Sequence, residues 1–102
     1  MRPLSSTELP GLEFSSKEPL SHKMRMPTNK IGWVHSFSDK PETRFDLVIK
    51  DALGRVIVRK ENCGGNSKRY GELLNKEIGI GNEIEVRAEN IRGGEKVLIF
   101  IN

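Results

Sequence analysis

The side chains able to do chemistry are few: His22, His35 and Cys63, set among 14 aspartates and glutamates. Cys63 with His35 is the simplest nucleophilic pair they offer. Such a dyad needs the imidazole within hydrogen-bond reach of the sulfur and a third group to orient it. No orienting group is evident, and Cys63 sits in ENCGGNSK with neither histidine near it in sequence. Nothing there lowers a thiol pKa. Paired carboxylates come next. Glu83, Glu85 and Glu89 fall on one face of EIEVRAEN, with Glu83 and Glu85 ~7 Å apart by strand rise. Glycoside hydrolysis uses carboxylates at such separations across a cleft, but any solvated strand face shows the same spacing. No histidine or cysteine pair has metal-ligand spacing, and Asp39, Asp46 and Asp51 do not make an EF-hand loop. GGNSK lacks the spacing of a phosphate loop. These residues predict a protein without catalytic site, metal or cofactor. His35 is expected to be structural, beside Trp33 and Phe37.

The elements that would position any site are strands. RFDLVIKD alternates, with Phe45, Leu47 and Ile49 inward and Arg44, Asp46 and Lys50 outward. DALG follows, with Asp51 and Gly54 at the places a tight turn prefers, and RVIVRKE returns from it as a hairpin. EIEVRAEN alternates again, Ile84, Val86 and Ala88 inward. IGWVHSFS places Trp33, His35 and Phe37 on one face and Gly32, Val34 and Ser36 on the other; Trp33, flanked by apolar neighbours, is expected in the core. SKRYGELL reads as a strand or an irregular crossing segment, YGELLNKEI has room for one helical turn, and Tyr70 is expected to be exposed. The chain closes on EKVLIFIN. Val97, Ile99 and Ile101 point one way and Leu98 and Phe100 the other, so this strand is apolar on both faces and is expected to be central, or covered by another segment. Strands at spacings of ~8–12 residues predict an all-β antiparallel sandwich, jelly-roll-like if there are eight.

Residues 1–28 differ. They hold four of the five prolines, Pro3, Pro10, Pro19 and Pro27, which remove backbone donors and favour extended chain. Between them stand Leu4, Leu9, Leu12, Phe14, Met24 and Met26. The reading is an extended N-terminal arm over 1–28, with edge-strand pieces at Leu12–Ser15 and His22–Met26, and a sandwich domain over 29–102. The arm's apolar residues either complete the home core or engage a neighbour.

Composition narrows the function classes. The chain has 102 residues, 35% hydrophobic and 30% charged, with mean hydropathy −0.50, which suits one folded polar-surfaced domain. No apolar run approaches a membrane span, and the first residues lack the apolar run of a secretory leader; synthesis in the cytoplasm is expected. One cysteine excludes an internal disulfide. Net charge is +3, without a basic run or an aromatic ladder between basic residues, so nucleic acid is not an expected partner. Charge is uneven: residues 40–69 carry eight Lys/Arg against four Asp/Glu, and residues 70–102 four against six. Opposite patches favour multivalent docking.

The arm MRPLSSTELPGLEFSSKEPLSHKMRMP, followed by strands from Ile31 to Ile101, resembles in plan the small jelly-roll cement, or decoration, proteins of tailed phages. The resemblance implies a virion protein that straps capsid subunits together, often as an oligomer. The residues themselves imply a protein partner. An arm with apolar anchors fits strand addition or groove binding, and the partner-binding candidates are Leu4, Leu9, Leu12, Phe14, Leu98 and Phe100. The alternative is a carbohydrate-binding sandwich module, with Trp33 and Tyr70 as its amphipathic aromatic candidates.

Overall fold

The computed structural model describes residues 11–18, 21–65 and 68–102. The described residues form eight strands and no helix: β1 (Leu12–Ser15), β2 (Ser21–Arg25), β3 (Lys30–Ser38), β4 (Arg44–Lys50), β5 (Val56–Gly64), β6 (Arg69–Glu77), β7 (Glu83–Arg92) and β8 (Lys96–Ile101). Two antiparallel sheets result, a first in the order β1-β8-β3-β6 and a second in the order β2-β7-β4-β5. That strand order is an eight-stranded jelly roll, in which the chain crosses from sheet to sheet instead of building one meander.

The β4–β5 hairpin closes as its residue types require. Gly54 adopts φ +83 and its N–H donates to the Asp51 carbonyl at 3.0 Å. The Asp51 carboxylate accepts from the N–H groups of Leu53 and Arg55, each at 2.9 Å, and from Arg55 Nε. The buried side chain of Asp51 thereby satisfies a turn that has no helix to finish it.

Between the sheets lie the inward residues of every alternating strand. Phe45, Leu47 and Ile49 of β4 meet Ile84 and Val86 of β7 and, from the first sheet, Ile99 and Ile101. Burying each such side chain is worth about 1.5–3 kcal/mol. Leu12, Phe14, Met24 and Met26 belong to the same core. This corrects two expectations. Leu12 and Phe14, 8% and 3% exposed, fill the home core and are closed to a partner. Strands β1 and β2 are not an arm beside a separate domain beginning at 29, because β1 pairs with β8 and β2 with β7 as the edge strands of one sandwich. Leu4 and Leu9 lie outside the described residues.

Strand β6 occupies YGELLNKE, where one helical turn had been an alternative. Its residues are poor β-formers, but β3 supplies a continuous backbone partner from Lys30↔Glu77 to Phe37↔Arg69, and pairing outweighs intrinsic preference. Strand β8 lies between β1 and β3, as its two apolar faces suggested. Val97, Ile99 and Ile101 are buried in the core, while Leu98 and Phe100 are half-buried on the outside of the sheet.

Candidate functional site

The two outer faces of the sandwich differ in chemistry. On the second sheet the outer positions are largely charged: Lys23 and Lys50 flank Glu85 and Arg25 faces Glu83, while Arg44 faces Arg92 and Asp46 faces Glu89. This is a solvated, charged face, complementary across the strands around Glu83 and Glu85, and Glu83, Glu85 and Glu89 belong to it.

The first sheet's outer face is built differently, and β3 is the reason. Ile31 and Trp33 are two residues apart and in a regular strand would share a face. The register shifts between them. Gly32 and Trp33 both donate their N–H to the Asn102 carbonyl, at 2.7 and 2.9 Å. This bulge at Gly32 leaves Ile31 in the core and turns Trp33 outward, followed by His35 and Phe37, while Val34 and Ser36 point inward. Trp33 is 45% exposed and Phe37 39%. The core expected around the aromatic face of β3 is thus formed by its smaller face. The bulge separates Ile31 from the aromatics it would otherwise have joined.

Strand pairing arranges the outer face in rows. Glu13, Leu98, Phe37 and Arg69 are register partners from β1 through β8 and β3 to β6. In the next row Phe100 faces His35 and His35 faces Gly71. Gly11 closes that row beneath Phe100, where a β-carbon would stand only 2.9 Å from the ring. Trp33 pairs with Leu73, 53% exposed, in the row beyond. Ring contacts tie the rows together. Trp33 stacks on His35 with centroids 5.9 Å apart, Phe37 meets Phe100 edge-on at 5.9 Å, and the Arg69 guanidinium lies 5.3 Å from the Phe37 centroid. An open groove of about 460 Å³ runs along β1, β8 and the end of β3, with Phe37 and Leu98 of the outer face and Phe14 and Val97 of the core as apolar lining and Glu13, Glu18, Asp39 and Lys96 among its polar rim.

The groups with chemical potential are placed elsewhere or already engaged. Cys63 is buried opposite Phe45 in the second sheet, whereas His35 stands on the outer side of the first. They form no dyad, and burial pushes the Cys63 thiol up in pKa. Asp39 accepts from the Glu95 N–H and the Thr43 hydroxyl, both at 3.0 Å, and the Glu95 bond leads in holding its carboxyl below the usual range. Asp46 accepts from Asn90 Nδ2 at 2.8 Å and the Asn62 N–H at 2.9 Å, and these bonds lower its pKa, Asn90 first. Among the described residues no three His, Cys, Asp or Glu side chains gather as metal ligands.

Tyr70, expected outside, is half-buried and packs against the core, edge-on to Phe45 with centroids 6.5 Å apart. Its hydroxyl donates to Glu72, and burial followed by this bond raises its pKa far above the usual phenol value. Glu72 in turn pairs with Lys60 at 2.9 Å, joining β6 to β5 across the sheets. Tyr70 and Trp33 therefore do not form one platform. Of the sequence candidates, Leu98, Phe100 and Trp33 share the outer face. Phe37, Leu73 and Arg69 join them there; alternation along β3 was the sequence signal for Phe37, and nothing local marked the other two.

The chain matches no known protein family and no curated protein sequence.

Proposed function

We propose that this chain is a non-enzymatic assembly protein that binds a protein partner through the outer face of the first sheet. The observation that carries the reading is the contiguous strip of Trp33, Phe37, Leu73, Leu98 and Phe100, apolar at its centre and charged at its rim. Large exposed apolar patches with polar borders mark interaction surfaces, and an aromatic centre with arginine beside it is the composition of binding hot spots. The setting we favour is a virion, with the protein acting as a capsid cement, or decoration, protein. The jelly roll supports that setting only by analogy of fold, since capsid and lectin domains both use it.

Exposed Trp33 also supports a second reading, a carbohydrate-binding module. Sugar platforms combine a ring with convergent polar groups. Trp33 has His35 stacked beside it but Leu73 as its neighbour across the strands, and the apolar partner favours protein.

Hydroxyl-radical footprinting separates the two readings, applied to the purified chain and to the particles or cells that make it. Protection of Trp33, Phe37 and Leu73 in the assembled material, with the charged face of the second sheet unchanged, is the expected result. Equal modification in both samples, or saturable quenching of Trp33 by oligosaccharides from a glycan panel, overturns the assembly reading.

A further inference from the structure

Resting on that reading, we propose that the protein covering the outer face of the first sheet is a second copy of this chain, joined to it by a twofold axis running along the strands between β8 and β3. The rows across the face carry the inference. Such an axis places β1 of one copy over β6 of the other, and β8 over β3. The row Glu13, Leu98, Phe37, Arg69 is acidic at one end, apolar in the middle and basic at the other. Turned about the axis, it lies on its own complement: Glu13 over Arg69, Leu98 over Phe37, Phe37 over Leu98 and Arg69 over Glu13. The second row repeats the symmetry in shape. Gly11 and Gly71 stand at its ends and Phe100 and His35 at its centre, each ring lying against the glycine beside it, so aromatic meets aromatic. A closed twofold interface requires this kind of self-complementarity.

The groove deepens the charge argument. Glu13 and Glu18 lie on its β1 side, and exposed Lys68 adjoins Arg69 at the start of β6. Each copy therefore presents an acidic edge where the other presents a basic one. On the opposite face acidic and basic residues are interspersed across the strands, as Lys23 and Lys50 beside Glu85 show, and are not gathered at opposite edges. Sheets packed face to face sit ~10 Å apart with strands within about 30° of aligned, a distance that Glu and Arg side chains span together. Four strands at ~4.8 Å spacing and six residues at ~3.3 Å rise give a flat footprint of ~400 Å². Side-chain relief raises this toward, but not to, the ~800 Å² per partner of a standard interface. The dimer is accordingly expected to dissociate in the micromolar range.

The test is sedimentation velocity on the full chain from one to several hundred micromolar, with native mass spectrometry of mixtures. Glu13→Lys alone and Arg69→Glu alone each place like charges together twice per dimer, and each is expected to weaken association about tenfold. An equimolar mixture of the two variants restores opposite charges at both contacts, so a heterodimer as tight as the parent dimer is expected. Leu73→Glu is expected to abolish association, and Lys23→Glu on the opposite face to leave it unchanged; circular dichroism confirms that each variant is folded. A chain monomeric at every concentration overturns the dimer, including the case in which its own residues 1–10 or another protein cover the face. Association indifferent to Leu73→Glu overturns the choice of face. Weakened single variants without rescue on mixing overturn the proposed axis. Footprinting keeps the two proposals apart: a monomer whose face is protected in the particle sinks the dimer alone, whereas a monomer whose Trp33 answers only to sugar sinks both.

Discussion

Replacing Gly94 by alanine tests the tightest junction in the structure. Gly93 and Gly94 lead from β7 into β8, and Gly94 packs on the loop between β3 and β4. A β-carbon on Gly94 falls far inside the non-bonded contact distance of Thr43 Oγ1 and 2.6 Å from Asp39 Oδ1. Thr43 is 1% exposed, so its hydroxyl has no solvent space to move into. That hydroxyl donates to the Asp39 carboxylate at 3.0 Å, and the same carboxylate holds the Glu95 N–H. Making room for one methyl therefore separates Thr43 from Asp39. Loss of a hydrogen bond to a charged group costs about 1.5–3 kcal/mol. Overpacking adds about 1–3 kcal/mol. The expected destabilisation is about 2.5–6 kcal/mol in total, read as a lower urea midpoint by far-ultraviolet circular dichroism. Trp33 fluorescence is a poor reporter, because the ring is already half in water when the chain is folded. The mechanism has its own control. In a Thr43→Ala background the hydroxyl is gone, and the added cost of Gly94→Ala is expected to fall by at least about 1 kcal/mol through coupling of touching residues. A loss below about 1 kcal/mol in the parent, or the same loss in both backgrounds, refutes the reasoning.

Phe45→Ala should cost about 3–5 kcal/mol as a fully buried aromatic, while Trp33→Ala should cost no more than about 1 kcal/mol in the monomer; chemical denaturation of both checks which side of each sheet is the core. The Asp51 carboxyl is held below its ordinary value by its bonds, the Arg55 N–H first. Its contribution to stability is therefore complete above the unfolded value of about 3.9 and is lost as pH falls through the lower folded value; Asp51→Asn should flatten this acid limb in melting curves recorded from neutral pH down to about 2. Cys63, buried with a raised pKa, should react with a thiol-specific disulfide reagent only as fast as the chain opens, and rapid labelling of the native protein would show that the β5 segment is looser than described.

Much of the fold was legible because several segments are locally consistent. DALG carries its own turn chemistry, and the β4 and β7 alternations point the same residues inward that the structure buries. The double apolarity of VLIFI correctly marked an interior strand. Two kinds of information were not local. The first is the bulge at Gly32, which depends on two N–H groups converging on the Asn102 carbonyl. Seventy residues separate the partners, and without the bulge Ile31 and Trp33 share a face. The second is lateral register. Glu13, Leu98, Phe37 and Arg69 come from four separate segments, and no window of sequence shows that they stand in one row. The candidate face was therefore visible only in fragments, as Leu98, Phe100 and Trp33, with Leu12 and Phe14 wrongly grouped among its anchors because edge strands that complete the home core look the same in sequence as an arm for a neighbour.

The position of β8 bears on how the chain reaches this fold. Leu12 pairs with Ile99 and Phe37 with Leu98, so the first sheet is held together by contacts between distant ends. Closing such long loops precedes any gain from them, and topologies of this kind fold in milliseconds to seconds rather than microseconds. Until β1 and β3 both arrive, VLIFI is an uncharged β-prone segment with open edges on either side, the composition from which intermolecular strand stacking begins. Glu95 and Lys96 stand immediately before it, where charge discourages that stacking. The strand that unites the finished sheet is thus also the segment most exposed to misassembly while the sheet is unfinished.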